Sequence, residues 1–269
     1  MNDKLRTKQA FTLIELVVAM GILAMVLSFA SVIFKVSINS QRTAIANAEI
    51  MQKLRAIADQ LNADFKSMAY GYGGYVAFNT DKLTIDGQTI EINSDCIAFF
   101  TNGDFQSTGQ YDGKTIAGNV ACVFYGPADP NSFGRFPKSE QKILLRRQTI
   151  LTADGPSAGS DPRGEYYKKS LSEWRVEPPF ANPQDWVKRP FIDPNNLKEH
   201  YVMHLAKGVD NFTIQFAERD PTGEFRWKRQ KEGGSQNIST NAFKFTFTLY
   251  DSKGVIKKGR TFTHIVYLD

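Results

Sequence analysis

Residues 8–36 read KQAFTLIELVVAMGILAMVLSFASVIFKV, and this stretch decides the architecture. From Phe11 to Val36 the only strongly polar side chains are Glu15 near the start and Lys35 near the end, with Thr12, Ser28 and Ser31 as mild interruptions. A helix rises about 1.5 Å per residue, so Leu16 to Phe34 would cover roughly 28 Å, close to the hydrocarbon thickness of about 30 Å. Ahead of it stand Lys4, Arg6 and Lys8 against a single acid, Asp3. A positive flank stays cytoplasmic, so the pattern predicts one span with the long remainder outside.

An ordinary secretory signal shares the basic start, but its apolar region is shorter, roughly 7 to 15 residues, and closes on a small-x-small cleavage site. Here the run is longer and continues into Lys35 without such a site, and Ala19 to Gly21 comes too early. A plain signal anchor explains the span but not Glu15, a carboxylate inside an apolar segment that needs a partner.

The residues KQA-FTLIELVVAM resemble the type IV prepilin and type II pseudopilin signature, in which cleavage precedes an aromatic residue and a Glu stands fifth in the mature chain. The resemblance implies cleavage between Ala10 and Phe11, N-methylation of Phe11, and a role for Glu15 in assembly, its carboxylate meeting the new amine of a neighbouring subunit. Where the family usually has Gly before the cut, this chain has Ala10. Residues 1–10 are then a cleaved leader and 11–36 the transmembrane half of the N-terminal helix.

Beyond Val36 the sequence turns amphipathic. Ile38, Ile45, Ile50, Leu54, Ile57, Leu61 and Phe65 fit one helical stripe, and no proline occurs between Phe11 and Met68, so residues 37–68 are expected to form the soluble half of the same helix. Tyr70-Gly71-Tyr72-Gly73-Gly74-Tyr75 ends it in a loop. Residues 69–269 form a β-rich body. Strands are expected at Thr89–Ile92, Cys96–Thr101, Val120–Tyr125, Lys142–Thr152, His200–Ala206, Phe212–Glu218, Phe243–Tyr250 and Arg260–Leu268. The last two read as a terminal hairpin, with Phe243, Phe245, Phe247 and Leu249 alternating on one strand and Phe262, Ile265 and Tyr267 on the other. Two irregular insertions are expected, Asp154 to Gly164 and the proline-rich Val176 to Asn196. The predicted fold is α+β and pilin-like, a long N-terminal helix packed on antiparallel sheets with long loop insertions.

The runs KILLRRQT, LAKGVDNFTIQFAERDPTGEFRW and NAFKFTFTLYDSKGVIKKGRTFTHIVYLD resemble the J-type minor pseudopilin. That likeness implies a low-copy structural subunit at or near the tip of a type II secretion pseudopilus, without cofactor. Its implied partners are other major and minor pseudopilins, a prepilin peptidase that also N-methylates, an inner-membrane assembly platform and membrane lipid. Its implied place is the bacterial inner membrane, single-pass, with the N-terminus cytoplasmic and the body periplasmic, then the pseudopilus. A minor pilin of a type IV pilus or competence system is the alternative, and an export-anchored binding or enzymatic domain is the reading from a different class.

Composition excludes little else. The chain has 269 residues and a net charge of +5, but its 33 basic residues are dispersed among 28 acidic ones. Arg146-Arg147 and Lys257-Lys258 are pairs only, read as solvated surface charge, and no nucleic-acid footprint is expected. Gly155-Pro156-Ser157-Ala158-Gly159 matches G-x-S-x-G without the helix that a nucleophile elbow requires. His200 and His204, beside Glu199, lie in a strand-like run, where i and i+4 stand roughly 13 Å apart and cannot share an ion. Asp154, Asp161 and Glu165 lack the spacing of a calcium loop. No catalytic residue and no metal site is therefore expected. Cys96 and Cys122, the only cysteines, could close a bridge or remain two buried thiols, and the sequence leaves both open.

Overall fold

The computed structural model describes residues 12–68, 74–85, 88–129, 139, 142–155, 164–170, 172–173, 186–190, 204–219, 223–230 and 235–268. Its elements run in the order α1 (Leu13–Lys66), β1 (Gly74–Ala77), β2 (Thr80–Ile85), β3 (Gln88–Asn93), β4 (Cys96–Tyr111), β5 (Lys114–Pro127), β6 (Ile143–Thr152), β7 (Tyr166–Lys168), β8 (His204–Lys207), β9 (Val209–Arg219), β10 (Phe225–Lys228), β11 (Ser235–Ile238), β12 (Ala242–Leu249) and β13 (Arg260–Tyr267). One long helix followed by sheets is the expected α+β, pilin-like class. The chain divides into two compact units, one up to Ile45 and one from Ala46 onward, so the division falls inside the predicted soluble half of the helix.

In the first unit none of the described residues is buried. Ile38 and Ile45, assigned above to the core-facing stripe, are exposed, and the buried stripe begins only at Ala46. It continues through Ile50, Ile57, Leu61, Asp64 and Phe65, with Leu54 partly buried beside it. The 3.6-residue period extends further along the sequence than the sheets do.

In the second unit, β11-β1-β4-β5-β6-β7 form one sheet, with β8 also pairing on β6, and β10-β9-β12-β13 form another. Pairing is antiparallel except for β7, which runs parallel to β6. The helical stripe shares one apolar core with both sheets: Ile97, Phe99, Val123 and Leu144 come from the first, and Phe212, Ile214, Phe243, Phe245 and Phe247 from the second. Each fully buried Leu, Ile or Phe contributes roughly 1.5–3 kcal/mol of transfer free energy. The central strands are buried on both faces. Cys96, Ala98, Phe100, Cys122, Phe124 and Leu145 point away from the helix into a second cluster covered by Trp186 and Val187. That two-sided burial explains why CIAFF and ACVFY read as unbroken apolar runs rather than alternating ones.

Strand β1 begins at Gly74, inside the segment expected to be loop, and pairs with both β4 and β11. β4 and β5 outrun their predicted cores because Asp112 (φ 51°) and Gly113 (φ 74°) make a tight two-residue turn that zips Tyr111 to Lys114. In the terminal hairpin, Phe243, Phe245 and Phe247 face the core as predicted, but their register partners are Val266, His264 and Phe262. Ile265 and Tyr267 therefore lie on the opposite face of β13, and Tyr267 is 72% exposed.

Two polar devices fasten the helix. Asp64, buried in the stripe, accepts a bidentate pair from Arg146 on β6, Nε at 2.6 Å and a terminal nitrogen at 2.8 Å. It also accepts the Tyr125 hydroxyl and Gln60 Nε2 at 3.1 Å. Arg146 is thus no surface charge. Burial alone would lower its pKa, but the bonds and charge of Asp64 raise it. At the other end of the stripe, Glu49 accepts from the backbone and hydroxyl of Ser252 at 2.9 and 3.1 Å, while Lys53 donates to the Tyr250 carbonyl at 2.8 Å. Gly208 (φ 77°) packs against the same carbonyl, which a β-carbon would meet at 2.7 Å. Within that turn, Asp251 accepts the amides of Lys253, Val255 and Ile256 at 3.2, 2.9 and 2.8 Å.

Removing one partner of a buried ion pair leaves the other charge uncompensated, so Asp64→Ala is expected to cost about 3–5 kcal/mol in denaturant unfolding of the detergent-solubilised chain. A loss below about 1 kcal/mol would mean that apolar packing alone seats the helix. Burial raises the pKa of Asp251, but its three backbone donors outweigh this and leave it lowered. A depressed carboxylate stabilises above its unfolded value of about 3.9 and loses that contribution as pH falls through the folded one. The gap in melting temperature between parent and Asp251→Asn should therefore be full at pH 7 and narrow below about pH 4. A gap unchanged at low pH would assign the effect to shape rather than charge.

Candidate assembly and processing site

α1 starts where its first residues can satisfy their own backbone. Thr12 lies just outside the helix and Glu15 in its first turn. The Glu15 amide donates to Thr12 Oγ1 at 3.3 Å, and Glu15 Oε2 accepts the Thr12 amide and hydroxyl, each at 2.9 Å. This is a reciprocal capping box, with Thr at the N-cap and Glu three residues on. The carboxylate also sits at the positive end of the helix dipole. The cap signal stands in the sequence as Thr12-Leu13-Ile14-Glu15, beside the reading of Glu15 as an intramembrane carboxylate in need of a partner.

Both recorded bonds land on Oε2. A carboxylate offers about four acceptor positions, so Glu15 can hold its own helix start and still receive an external cation. Around it Leu13, Ile14, Leu16, Val17 and Val18 are all more than half exposed. Among the described residues one helix, α1, is long and apolar enough to cross a membrane, and it lies near the N-terminus. Ala10 and Phe11, the expected cleavage pair, lie outside the described residues.

The remaining candidates do not converge. His204 lies on β8, a strand as expected, while His200, Glu199, Ser157 and Asp161 lie outside the described residues. Glu165 is buried, and its Oε2 accepts the Gly109 amide and the Tyr111 hydroxyl, each at 3.0 Å. It ties the β4 hairpin to the start of β7. Among the described residues no group of three or more His, Cys, Asp or Glu is arranged to hold a metal ion. Arg147, the second arginine read as surface charge, lies 5.3 Å from the centroid of Phe124, and burial lowers its pKa.

Residues 5–31 match the family described as the prokaryotic N-terminal methylation motif. The match spans Ala10, Phe11 and Glu15. It supports a pilin-like protein with a prepilin-type N-terminus, and with the apolar helix it fits a single-pass membrane anchor. No curated protein and no solved structure matches the chain.

Cys96 and Cys122 are neighbours in the sheet but not in register. Cys122 pairs with Phe100, four positions along β4 from Cys96, a separation of roughly 13 Å at strand spacing. Both are free and buried in the second cluster, so the structure takes the two-thiol alternative over the bridge. Burial pushes each thiol up to about 12, and the thiolate is the reactive form. Iodoacetamide at pH 8 should leave both unmodified in the folded chain and alkylate both in guanidinium without reductant. A chain that needs reductant before it alkylates would be bridged.

Proposed function

We propose that this chain is a minor pseudopilin, a non-enzymatic structural subunit of the type II secretion pseudopilus, carried low in copy at or near its tip and taking part in protein export. The observation that carries the reading is the combination at residues 5–31: a methylation motif, a capped helix start with an exposed carboxylate at Glu15, and an apolar helix behind it with no buried residue among those described. In this reading residues 1–10 keep Phe11 at the cytoplasmic face of the inner membrane until a prepilin peptidase cuts after Ala10 and N-methylates Phe11, and the β-rich body stands in the periplasm. An intramembrane carboxylate costs at least about 2.5 kcal/mol on insertion scales. The ammonium of a neighbouring subunit's first residue offsets that penalty and fixes the stagger of the packed helices. A body whose described residues form three sheets, with a second apolar cluster, is bulky for continuous stacking, which favours one copy capping other pseudopilins over many copies along a filament.

Intact-mass analysis with N-terminal peptide mapping of membrane extracts, with and without the peptidase, tests the reading. A chain starting at N-methylated Phe11 only when the peptidase is present is the expected result. Met1 to Ala10 retained under both conditions would reduce the N-terminus to a plain anchor. Crosslinking of the processed chain then separates secretion from pilus: capture of secretion-system pseudopilins is expected, and capture of pilus subunits alone would move the protein to the other machine.

A further inference from the structure

Four of the described arginines are partly buried: Arg146, Arg147, Arg189 and Arg229. All but Arg147 grip a carboxylate with two nitrogens. Arg146 holds Asp64 at 2.6 and 2.8 Å, Arg189 holds Asp81 at 2.9 and 3.1 Å, and Arg229 holds Asp95 at 3.0 and 2.8 Å. Arg147 has no acid paired with it among the described residues. Its guanidinium carbon lies over the Phe124 ring, 5.3 Å from the centroid, and one terminal nitrogen donates to the Trp186 carbonyl at a long 3.4 Å. The ring contact uses the flat face of the group and leaves its edge of N–H donors open. No Arg147 nitrogen is both unbonded and sealed from solvent. The chain passes close by at Gly164, where a β-carbon would stand 3.8 Å from Arg147 Cδ. Yet the next residue, Glu165, sends its carboxylate to Gly109 and Tyr111 instead. The Cys122 thiol, pushed up to about 12 by burial, is neutral at pH 7 and supplies no counter-charge.

We propose that Arg147 anchors a docking surface for an acidic segment of a partner protein, whose Asp or Glu supplies the carboxylate that the fold gives to the other partly buried arginines. Trp186 and Tyr167 take the apolar residue beside that acid. Their rings meet at 5.7 Å, Tyr167 is 37% exposed, and Trp186 is the residue whose carbonyl Arg147 touches. Arg, Trp and Tyr are the residue types that most often dominate binding energy at an interface. The surrounding charge matches an acidic visitor: Lys169 Nζ lies 5.9 Å from the Tyr167 ring centroid, and Lys188, close to Trp186 in the chain, is exposed. Glu173, the acid beside Lys169, is engaged by the Ser170 amide and hydroxyl, each at 2.7 Å. A guanidinium fork fits phosphate as well as carboxylate. An aromatic pair next to it suits a peptide better than a free phosphate, and this fold already answers its partly buried arginines with carboxylates. Burial disfavours the charged form of Arg147, so an incoming carboxylate restores an interaction that the folded chain lacks. Every residue named lies in the β-rich unit, and the surface does not depend on how the two units are arranged.

The test follows the arginine Nε–H signals by nuclear magnetic resonance in the full chain, isotope-labelled at arginine and held in detergent micelles, with Arg147 assigned through its contact with the Phe124 ring. A short peptide of alternating Glu and Leu should move the Arg147 signal saturably and bind at least about tenfold more tightly than its Gln–Leu counterpart. The signals of Arg146, Arg189 and Arg229, already paired, should stay where they are. In Arg147→Gln the two peptides should bind within about twofold of each other. An Arg147 signal that ignores the Glu peptide at about 1 mM, or a Gln peptide that binds the parent equally well, would overturn the proposal and leave the group a structural cation held by Phe124. Inorganic phosphate moving the signal at a lower concentration than the peptide would overturn it as well, in favour of a phosphate-bearing ligand. These outcomes are read on the parent chain, so they stand even where the variant folds poorly.

Discussion

Asp64 is the one carboxylate in a helical stripe whose other buried members are apolar, and much of the body is arranged to make it tolerable. Arg146 and Tyr125 reach it from two strands, and the β5–β6 ladder pairs those two residues directly opposite each other. A slip of β6 by one residue in that ladder would turn Arg146 to the far face and leave the Asp64 charge buried without its cation. The ion pair therefore penalises the wrong β5–β6 register as well as holding the helix to the sheet. Asp95, fully buried, repeats the device between the sheets. It accepts Arg229 Nε and a terminal nitrogen at 3.0 and 2.8 Å, the Ile214 amide at 2.9 Å and the Asn79 amide at 3.0 Å. Burial raises its pKa and the arginine opposes that rise.

The alternation of side chains along the central strands lets one sheet serve two cores. Ile97 and Phe99 on β4 pack with the helix, while Ala98 and Phe100 between them pack with Trp186 and Val187 on the other side. The proline-rich insertion, read in the sequence as irregular, supplies that second cover at least at Trp186 and Val187. Arg189, just beyond, donates to both oxygens of Asp81 at 2.9 and 3.1 Å and to the Ala128 carbonyl at 2.8 Å, pinning the insertion to the β2–β3 hairpin and the end of β5.

The long helix, the central strands and the terminal hairpin were legible because each has a strong local period or a continuous apolar run. Short strands were not. GYVA at β1 follows a glycine cluster and YYK at β7 is three residues long, so their strand character comes from neighbours that pair with them. The polar ends of β4 and β5 were missed although Asp112-Gly113 is a hairpin signal. Phe262, Ile265 and Tyr267 mark the second hairpin strand by apolar identity, but the two-residue period puts Ile265 and Tyr267 on the face opposite Phe262. Glu15 stands out as a lone carboxylate in an apolar run, and the resemblance adds its role; Asp64 does not stand out, since an acid within a helical stripe looks like an interruption until its cation, 82 positions away, is folded against it.

The shared core joins the beginning of the body to its end. Ile50, Ile57, Leu61 and Phe65 are covered in part by Phe243, Phe245 and Phe247, and Glu49 waits for Ser252. The chain is made from its N-terminus, so that stripe has no complete cover until nearly all 269 residues have been synthesised. At the usual pace of about 5–20 residues per second, roughly ten seconds or more pass with an apolar helix face open to solvent and to neighbouring chains. Contacts of such long sequence separation also close slowly once the partners exist. The timing of biogenesis, as much as final stability, is where this body is vulnerable to being held by a chaperone or lost to association.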